Sequence, residues 1–350
     1  MKVIYTACKN DYLDPKRGYG FEHYNFLGSL EKMHGVEVIY YPYDQILEIG
    51  KDKFNKKLLQ LVKNEKPDLL FAAMYTDQLK TETLNEISKI GCKTFAWFCD
   101  DVWRFYNYSK YWAPHFDWVA STDPKALKNY AGIGYKNIIK TQFACNHFLY
   151  KPANLPKIYD VAFIGQPHGT RKKIVEKLKN AGIKVECWGK GWPNGRVSQD
   201  DMIKIFFQSK INLNFAAGSA GLGIKDFARI FLRRENGKNV KINNPLKWMD
   251  NFESFISNRK NHIKGRNFEI PGCGGFLLTG NAECLEDYYK DGEEIVVYRN
   301  GKDLIDKIKY FLENDAERER IAEAGYERTM RDHTYEKRFN KIFKTIGLSK

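Results

Sequence analysis

Short apolar runs alternate with amphipathic stretches along nearly the whole chain. KVIYTAC, EVIYYPY, PDLLFAAMY, KTFAWFC and WVASTD are continuously apolar rather than alternating. Such runs belong to parallel strands covered on both faces. Helix-period segments lie between them: FEHYNFLGSLEKM follows the first run, and in FNKKLLQLVKNEK residues Leu58, Leu59, Leu61 and Val62 recur at helical spacing. Strand and helix in this alternation predict right-handed βαβ crossovers and a doubly wound sheet.

The rhythm breaks at YKPANLPKIYD, where Pro152 and Pro156 predict an interdomain linker. It restarts with YDVAFIGQ, RKKIVEKLKNAG, KVECWGKG, SQDDMIKIFFQSK and INLNFAA. After an interruption it resumes with GRNFEIPGCG, GFLLTG, IVVYR and GKDLIDKIKYFLEN. The expected organisation is two α/β Rossmann-like domains, residues 1–150 and 157–325, facing a central cleft at the carboxyl ends of their strands. Residues 216–263 do not fit the alternation and read as an insertion with short helices, either a lid or acceptor platform or a surface excursion without a role.

Composition changes this picture little. The apolar fraction of 43% and the aromatic fraction of 15% exclude wholesale disorder. No apolar run approaches the ~18 residues of a membrane helix. The opening MKVIYTACKN reads as a strand rather than a signal peptide, so a cytoplasmic location is expected, with at most peripheral membrane contact. Seven scattered cysteines, with no C-x-x-C pair, read as buried reduced thiols. The net charge of +14 suits phosphate-bearing substrates, anionic membranes or nucleic acid. Much of it lies on Glu-interleaved helix faces, which disfavours nucleic acid as the partner.

The strongest local signal for chemistry is KGRNFEIPGCGGFLLT, residues 264–279. Arg266 and Glu269, three apart, share a helix face. A carboxylate there can accept hydrogen bonds from ribose hydroxyls, while Lys264 and Arg266 can meet a diphosphate. Gly274 and Gly275 end the helix and allow a ligand to approach closely. The same residues also fit a capped surface helix with an Arg–Glu pair.

Weaker candidates surround this segment. Gly18 and Gly20 follow the first strand, where backbone N–H groups can face a phosphate. Arg171 opens the helix after FIGQPHG, and Trp192 in GKGWPNG can stack on a base or pack in the core. Asp100 and Asp101 end a strand, placed either to deprotonate an acceptor hydroxyl or to cap a helix. No D-x-D triplet occurs and the histidines are dispersed without ligand spacing, so no metal site is predicted. The absence of G-x-G-x-x-G with a following acidic residue argues against an NAD-dependent oxidoreductase.

Taken together, KTFAWFCDD, WVAST, CNHFLYKP, YDVAFIGQPHGTR, SKINLNF, KGRNFEIPGCGGFLLT, DGEEIVVYRN, RERIAEAGYERT and HTYEKRF resemble the CgeB-like (spore-maturation protein) glycosyltransferases of the GT-B superfamily, related to glycosyltransferase group 1. The resemblance implies an acceptor-binding N-terminal domain, a donor-binding C-terminal domain and a last helix, within 326–350, that crosses back to the N-terminal domain. It implies sugar transfer from a UDP- or GDP-linked donor, a co-substrate rather than a cofactor, to a hydroxyl of a carbohydrate, glycan or other acceptor, and the missing D-x-D triplet makes that transfer metal-independent in expectation. Glu269 matches the second Glu of the group 1 signature, which binds the donor ribose. Lys264, Arg266 and Arg171 match basic positions near the diphosphate, and Gly18 and Gly20 loosely match the N-terminal glycine loop. The first Glu of the signature falls at Asn261, a departure that removes an acidic contact to the donor sugar. A DNA-modifying GT-B transferase and a non-catalytic nucleotide-binding Rossmann protein are the alternatives.

Overall fold

The computed structural model describes residues 1–218, 223–235 and 239–348. It divides into two compact units, residues 1–142 with 335 onward, and residues 143–334.

Six strands build the sheet of the first unit: β1 (Lys2–Thr6), β2 (Glu37–Tyr40), β3 (Leu69–Ala73), β4 (Lys93–Phe98), β5 (Trp118–Ser121) and β6 (Ile138–Lys140). All pair in parallel, in the order β2-β1-β3-β4-β5-β6. The continuous apolar runs have their explanation here, because β1, β3 and β4 are buried almost throughout. The order reverses between β1 and β3, and a crevice opens beyond the carboxyl ends of strands at such a point. Two helices beside that crevice are irregular. His23–Leu27 and Phe105–Ser109 are π-helical, a geometry that recurs at functional sites.

One face of this sheet is closed by the end of the chain. In the helix Tyr335–Thr345 the residues Tyr335, Phe339, Ile342 and Phe343 form a single buried face. The Phe339 ring lies 5.6 Å from Phe71 and 6.0 Å from Trp97, while Tyr335 lies 5.1 Å from Phe26. Full burial of aromatic rings contributes ~2–3 kcal/mol each, so the helix is an integral part of this core.

The second unit carries β7 (Tyr159–Ile164), β8 (Val185–Trp188), β9 (Ser209–Asn214), β12 (Leu277–Gly280) and β13 (Val296–Tyr298), parallel and ordered β13-β12-β9-β7-β8. Its switch point lies between β7 and β9. Residues 143–150 join this unit rather than the first, because Cys145 and Tyr150 are buried in its core and the Cys145 amide donates to the His333 carbonyl at 2.9 Å. The helix Asp315–Asp332 stays here too, with Thr329 Oγ1 2.6 Å from the Tyr289 hydroxyl. The units thus part after Gln142 and before Tyr335, where the sequence pattern suggests 150 and 326.

Within residues 216–263 lie the helix Ile224–Ala228, an antiparallel hairpin of β10 (Leu232–Glu235) and β11 (Asn239–Ile242), and the helix Trp248–Ser257. They pack around Ile230, 2% exposed, with Phe231 edge-on to Trp248 at 5.1 Å. Asn243 and Asn251 tie the group together by donating to the Ile230 carbonyl.

Candidate functional site

In the second unit the helix Arg266–Gly272 starts beyond the carboxyl ends of β9 and β12. Its entry is fixed by a buried polar network. Asn267 accepts from the Lys264 amide at 2.9 Å and from Asn214 Nδ2 at 3.0 Å, and Asn214 also donates to Thr279 Oγ1 at 3.0 Å. Each of these buried groups would cost ~1–3 kcal/mol if left unpaired, so the network locks the approach of the helix to the sheet.

Lys264, His262 and Arg171 converge beside this helix. The Lys264 ammonium meets His262 Nε2, which acts as acceptor. Burial, with Lys264 next and Arg171 more weakly, pushes the imidazole down to about 4, so it is neutral near pH 7. Burial also lowers the Arg171 pKa, against the Tyr298 hydroxyl nearby, and the Arg171 Nη1 donates to the Gln166 carbonyl at 2.8 Å. Two cations and a neutral imidazole gathered at the carboxyl ends of parallel strands suit a diphosphate. His262 was not indicated by spacing; only its position two residues before Lys264 pointed to it.

Glu269 occupies a different place from the one its sequence suggests. It is fully buried, Oε1 accepts from the Tyr150 hydroxyl at 2.9 Å, and Oε2 is held by Arg266. Burial opposes the Arg266 charge, but Glu269 outweighs it and raises the guanidinium pKa. In this conformation the pair is a strut inside the unit rather than an open ribose contact.

The glycines of the segment also serve the protein. Gly274, at φ +72°, makes the left-handed turn that ends the helix. A Cβ on Gly275 would lie 2.9 Å from both Asn212 Nδ2 and the Phe206 carbonyl oxygen, so the close approach is to β9 and its preceding helix, not to a ligand. Trp192 donates from Nε1 to the Gly165 carbonyl at 2.8 Å and packs its ring edge-on to Phe163, so it braces two loops.

In the first unit a cavity of about 560 Å³ sits at the carboxyl ends of β1, β3 and β4. Glu22, Asp11 and Asp100 line it, with Arg104 and the aromatic rings of Tyr12 and Trp103 among the other walls. Burial pushes the Glu22 carboxyl up to about 7, reinforced by Asp100 and Asp11 and opposed by its own backbone amide. Arg104 is stacked 3.9 Å over Tyr108, and Asp11 is paired with Arg17 at 2.9 Å. Glu22 was missed in the sequence, although it stands two residues after Gly20.

Of the acidic pair, Asp100 reaches this cavity and is exposed. Asp101 does not: it is fully buried, accepts from Tyr130 at 2.8 Å, and is pushed up to about 6 by burial against the hydroxyls of Ser109, Ser121 and Tyr130. It lines instead a smaller hollow that shares Glu22, Asp100, Arg104 and Tyr108 with the cavity. The amides of Gly18 and Gly20 are likewise spent internally, on the Pro15 and Lys9 carbonyls at 3.2 and 2.8 Å, so neither presents an N–H to a phosphate.

No helix among the described residues is long and apolar enough to cross a membrane. Residues 171–344 match the family described as glycosyl transferase-like. The spore protein CgeB of Bacillus subtilis (strain 168) is 21% identical over 288 residues, 81% of this chain and 84% of that protein. Among solved structures, sucrose-phosphate synthase from Thermosynechococcus elongatus aligns with a TM-score of 0.61 at 10% identity over 99% of both chains. HepE of Anabaena, solved with UDP and glucose, aligns at 0.58 and 12% identity, again over 99% of both. A glycosyltransferase from Rickettsia africae gives 0.59 and 12% with the same coverage. Just under half of the chain, residues 171–344, is thus similar to a glycosyl transferase-like family, its sequence is similar to CgeB, and its fold is that of the GT-B structures with which it aligns.

Proposed function

We propose that the protein transfers a sugar from a nucleoside-diphosphate donor to a hydroxyl acceptor without a metal ion. The observation that carries the reading is the convergence of Lys264, Arg171 and neutral His262 beyond β9 and β12. As the sugar–phosphate bond breaks, negative charge develops on the departing diphosphate. Two fixed cations in a half-buried setting stabilise that charge without reorganising. The UDP bound by HepE supports a uridine-linked donor. Arg266 and Glu269 act through the strut they form with Tyr150, which holds the helix in place.

The acceptor belongs in the cavity of the first unit. Aromatic rings suit the apolar faces of a saccharide, and carboxylates accept from its hydroxyls. Glu22, with a pKa near 7, has the proton affinity of a general base, and Asp100 stands beside it. Three carboxylates in this cavity argue against a DNA acceptor, whose phosphates they would repel.

The test is a thermal-shift titration with UDP, GDP and ADP, followed by donor turnover. A ligand that binds only the folded state raises apparent stability. Lys264→Ala and Arg171→Ala should each weaken UDP binding by at least about tenfold with the unliganded melting temperature unchanged. Unaltered UDP affinity in both variants refutes the donor site. Donor binding without hydrolysis or transfer across a panel of sugar nucleotides would instead favour a non-catalytic protein.

A further inference from the structure

Half of the large hydrophobic side chains that the described residues expose lie in one stretch of the second unit, Ile224 to Ile256. Ile224 is 89% exposed, Leu246 87%, Ile242 70% and Met249 69%. The stretch does not lack a core, because Ile230 and the rings of Phe231 and Trp248 are packed inside it. In the helix Trp248–Ser257 the usual pattern is reversed. Met249, Phe252 and Ile256, at i, i+3 and i+7, share a face and are exposed, whereas the small polar Ser254 and Ser257 are buried. A monomeric surface rarely gathers so many exposed apolar groups without a partner.

Charge identifies the partner. Residues 223–260 carry nine Lys and Arg against four Asp and Glu. Lys241, Lys247, Arg259 and Lys260 are exposed around the apolar residues. A second copy of the chain would oppose cation to cation across this face. Nucleic acid would satisfy the cations but leave the aliphatic groups in water. An anionic bilayer surface satisfies both, with apolar side chains at the headgroup–acyl boundary and cations among the headgroups.

We propose that the described residues 224–235 and 239–260 dock the protein on membranes rich in anionic lipid, with Leu246, Met249, Phe252 and Ile256 entering the bilayer surface. The chain needs no spanning helix for this, and the inference stands apart from the donor and acceptor sites.

Co-sedimentation of the full-length protein tests it, with vesicles of phosphatidylcholine alone and of phosphatidylcholine with one-third phosphatidylglycerol as probes. Binding should be at least about tenfold stronger to the anionic vesicles and should weaken with salt. Leu246→Glu with Met249→Glu should lower it at least about tenfold at an unchanged melting temperature, since both side chains are exposed. Lys241→Glu with Lys247→Glu should lower it by a comparable factor, because each cation near an anionic surface contributes about fivefold. Absence of binding to anionic vesicles, or equal binding by the Leu246/Met249 variant, overturns the proposal. So does a concentration-dependent dimer, formed without vesicles and abolished by that variant, which would give the face to a second copy. Tight duplex-DNA binding in a protein indifferent to vesicles would overturn it as well.

Discussion

Replacing Glu22 with Gln isolates one ionisation in the cavity of the first unit. The carboxyl is pushed up from 4.5 to about 7, first by burial and then by Asp100 and Asp11. One pKa unit corresponds to about 1.4 kcal/mol, so the ionised form is disfavoured in the folded protein by roughly 3 kcal/mol. The sign follows from linkage. Below pH 4.5 the group is protonated in both states and has no effect. Between 4.5 and 7 the unfolded chain releases its proton first, and stability falls as pH rises. Above 7 the full penalty is present. Gln cannot ionise, so the variant should match the wild type near pH 4 and exceed it by up to about 3 kcal/mol at pH 8. Asp101, pushed up from 3.8 to about 6, adds a similar fall in both proteins, and this cancels in the difference. Urea unfolding at pH 4, 6 and 8 measures the effect, with the buried Trp97 in the same unit as a reporter. Equal pH dependence in the two proteins would refute the cavity electrostatics, and with it the assignment of Glu22 as proton acceptor. If that assignment is right, the stabilised variant should keep UDP binding and lose transfer.

Two further outcomes follow from the second unit. Glu269→Ala removes the carboxylate acceptor of the partly exposed Arg266 guanidinium and of the buried Tyr150 hydroxyl, and should cost about 1–3 kcal/mol in urea unfolding. Adding Arg266→Met should recover part of that loss, and a strictly additive pair would refute the strut. Gly275→Ala forces a methyl against Asn212 and the Phe206 carbonyl and should cost about 1–3 kcal/mol without changing UDP affinity; a loss of UDP affinity at unaltered stability would restore the ligand-contact role.

The parallel sheets were legible because strands such as Leu69–Ala73 are covered on both faces and therefore apolar at every position. The return of the last helix to the first unit followed from the family resemblance rather than from its own pattern, and its buried face of Tyr335, Phe339, Ile342 and Phe343 is what the structure adds. The state of Glu269 was not. Its helix and its Arg266 neighbour are local, but the hydroxyl that completes its enclosure belongs to Tyr150, 119 residues earlier. Adjacent acids at 100 and 101 look alike in sequence, yet they diverge because one side chain turns into the Tyr130 pocket and the other faces the cavity. Of the π-helical turns flanking that cavity, His23–Leu27 lies in a stretch that reads as ordinary helix, and Phe105–Ser109 lies in one for which the pattern predicts no element.

The closing helix also bears on the order in which the protein can mature. Tyr335, Phe339, Ile342 and Phe343 complete a core whose sheet was translated some two hundred residues earlier. During synthesis the rings of Phe26, Phe71 and Trp97 remain without that cover while the entire second unit emerges. The first unit to leave the ribosome is thus the last to be finished, and a nascent chain arrested before residue 335 presents an aromatic surface suited to chaperone capture.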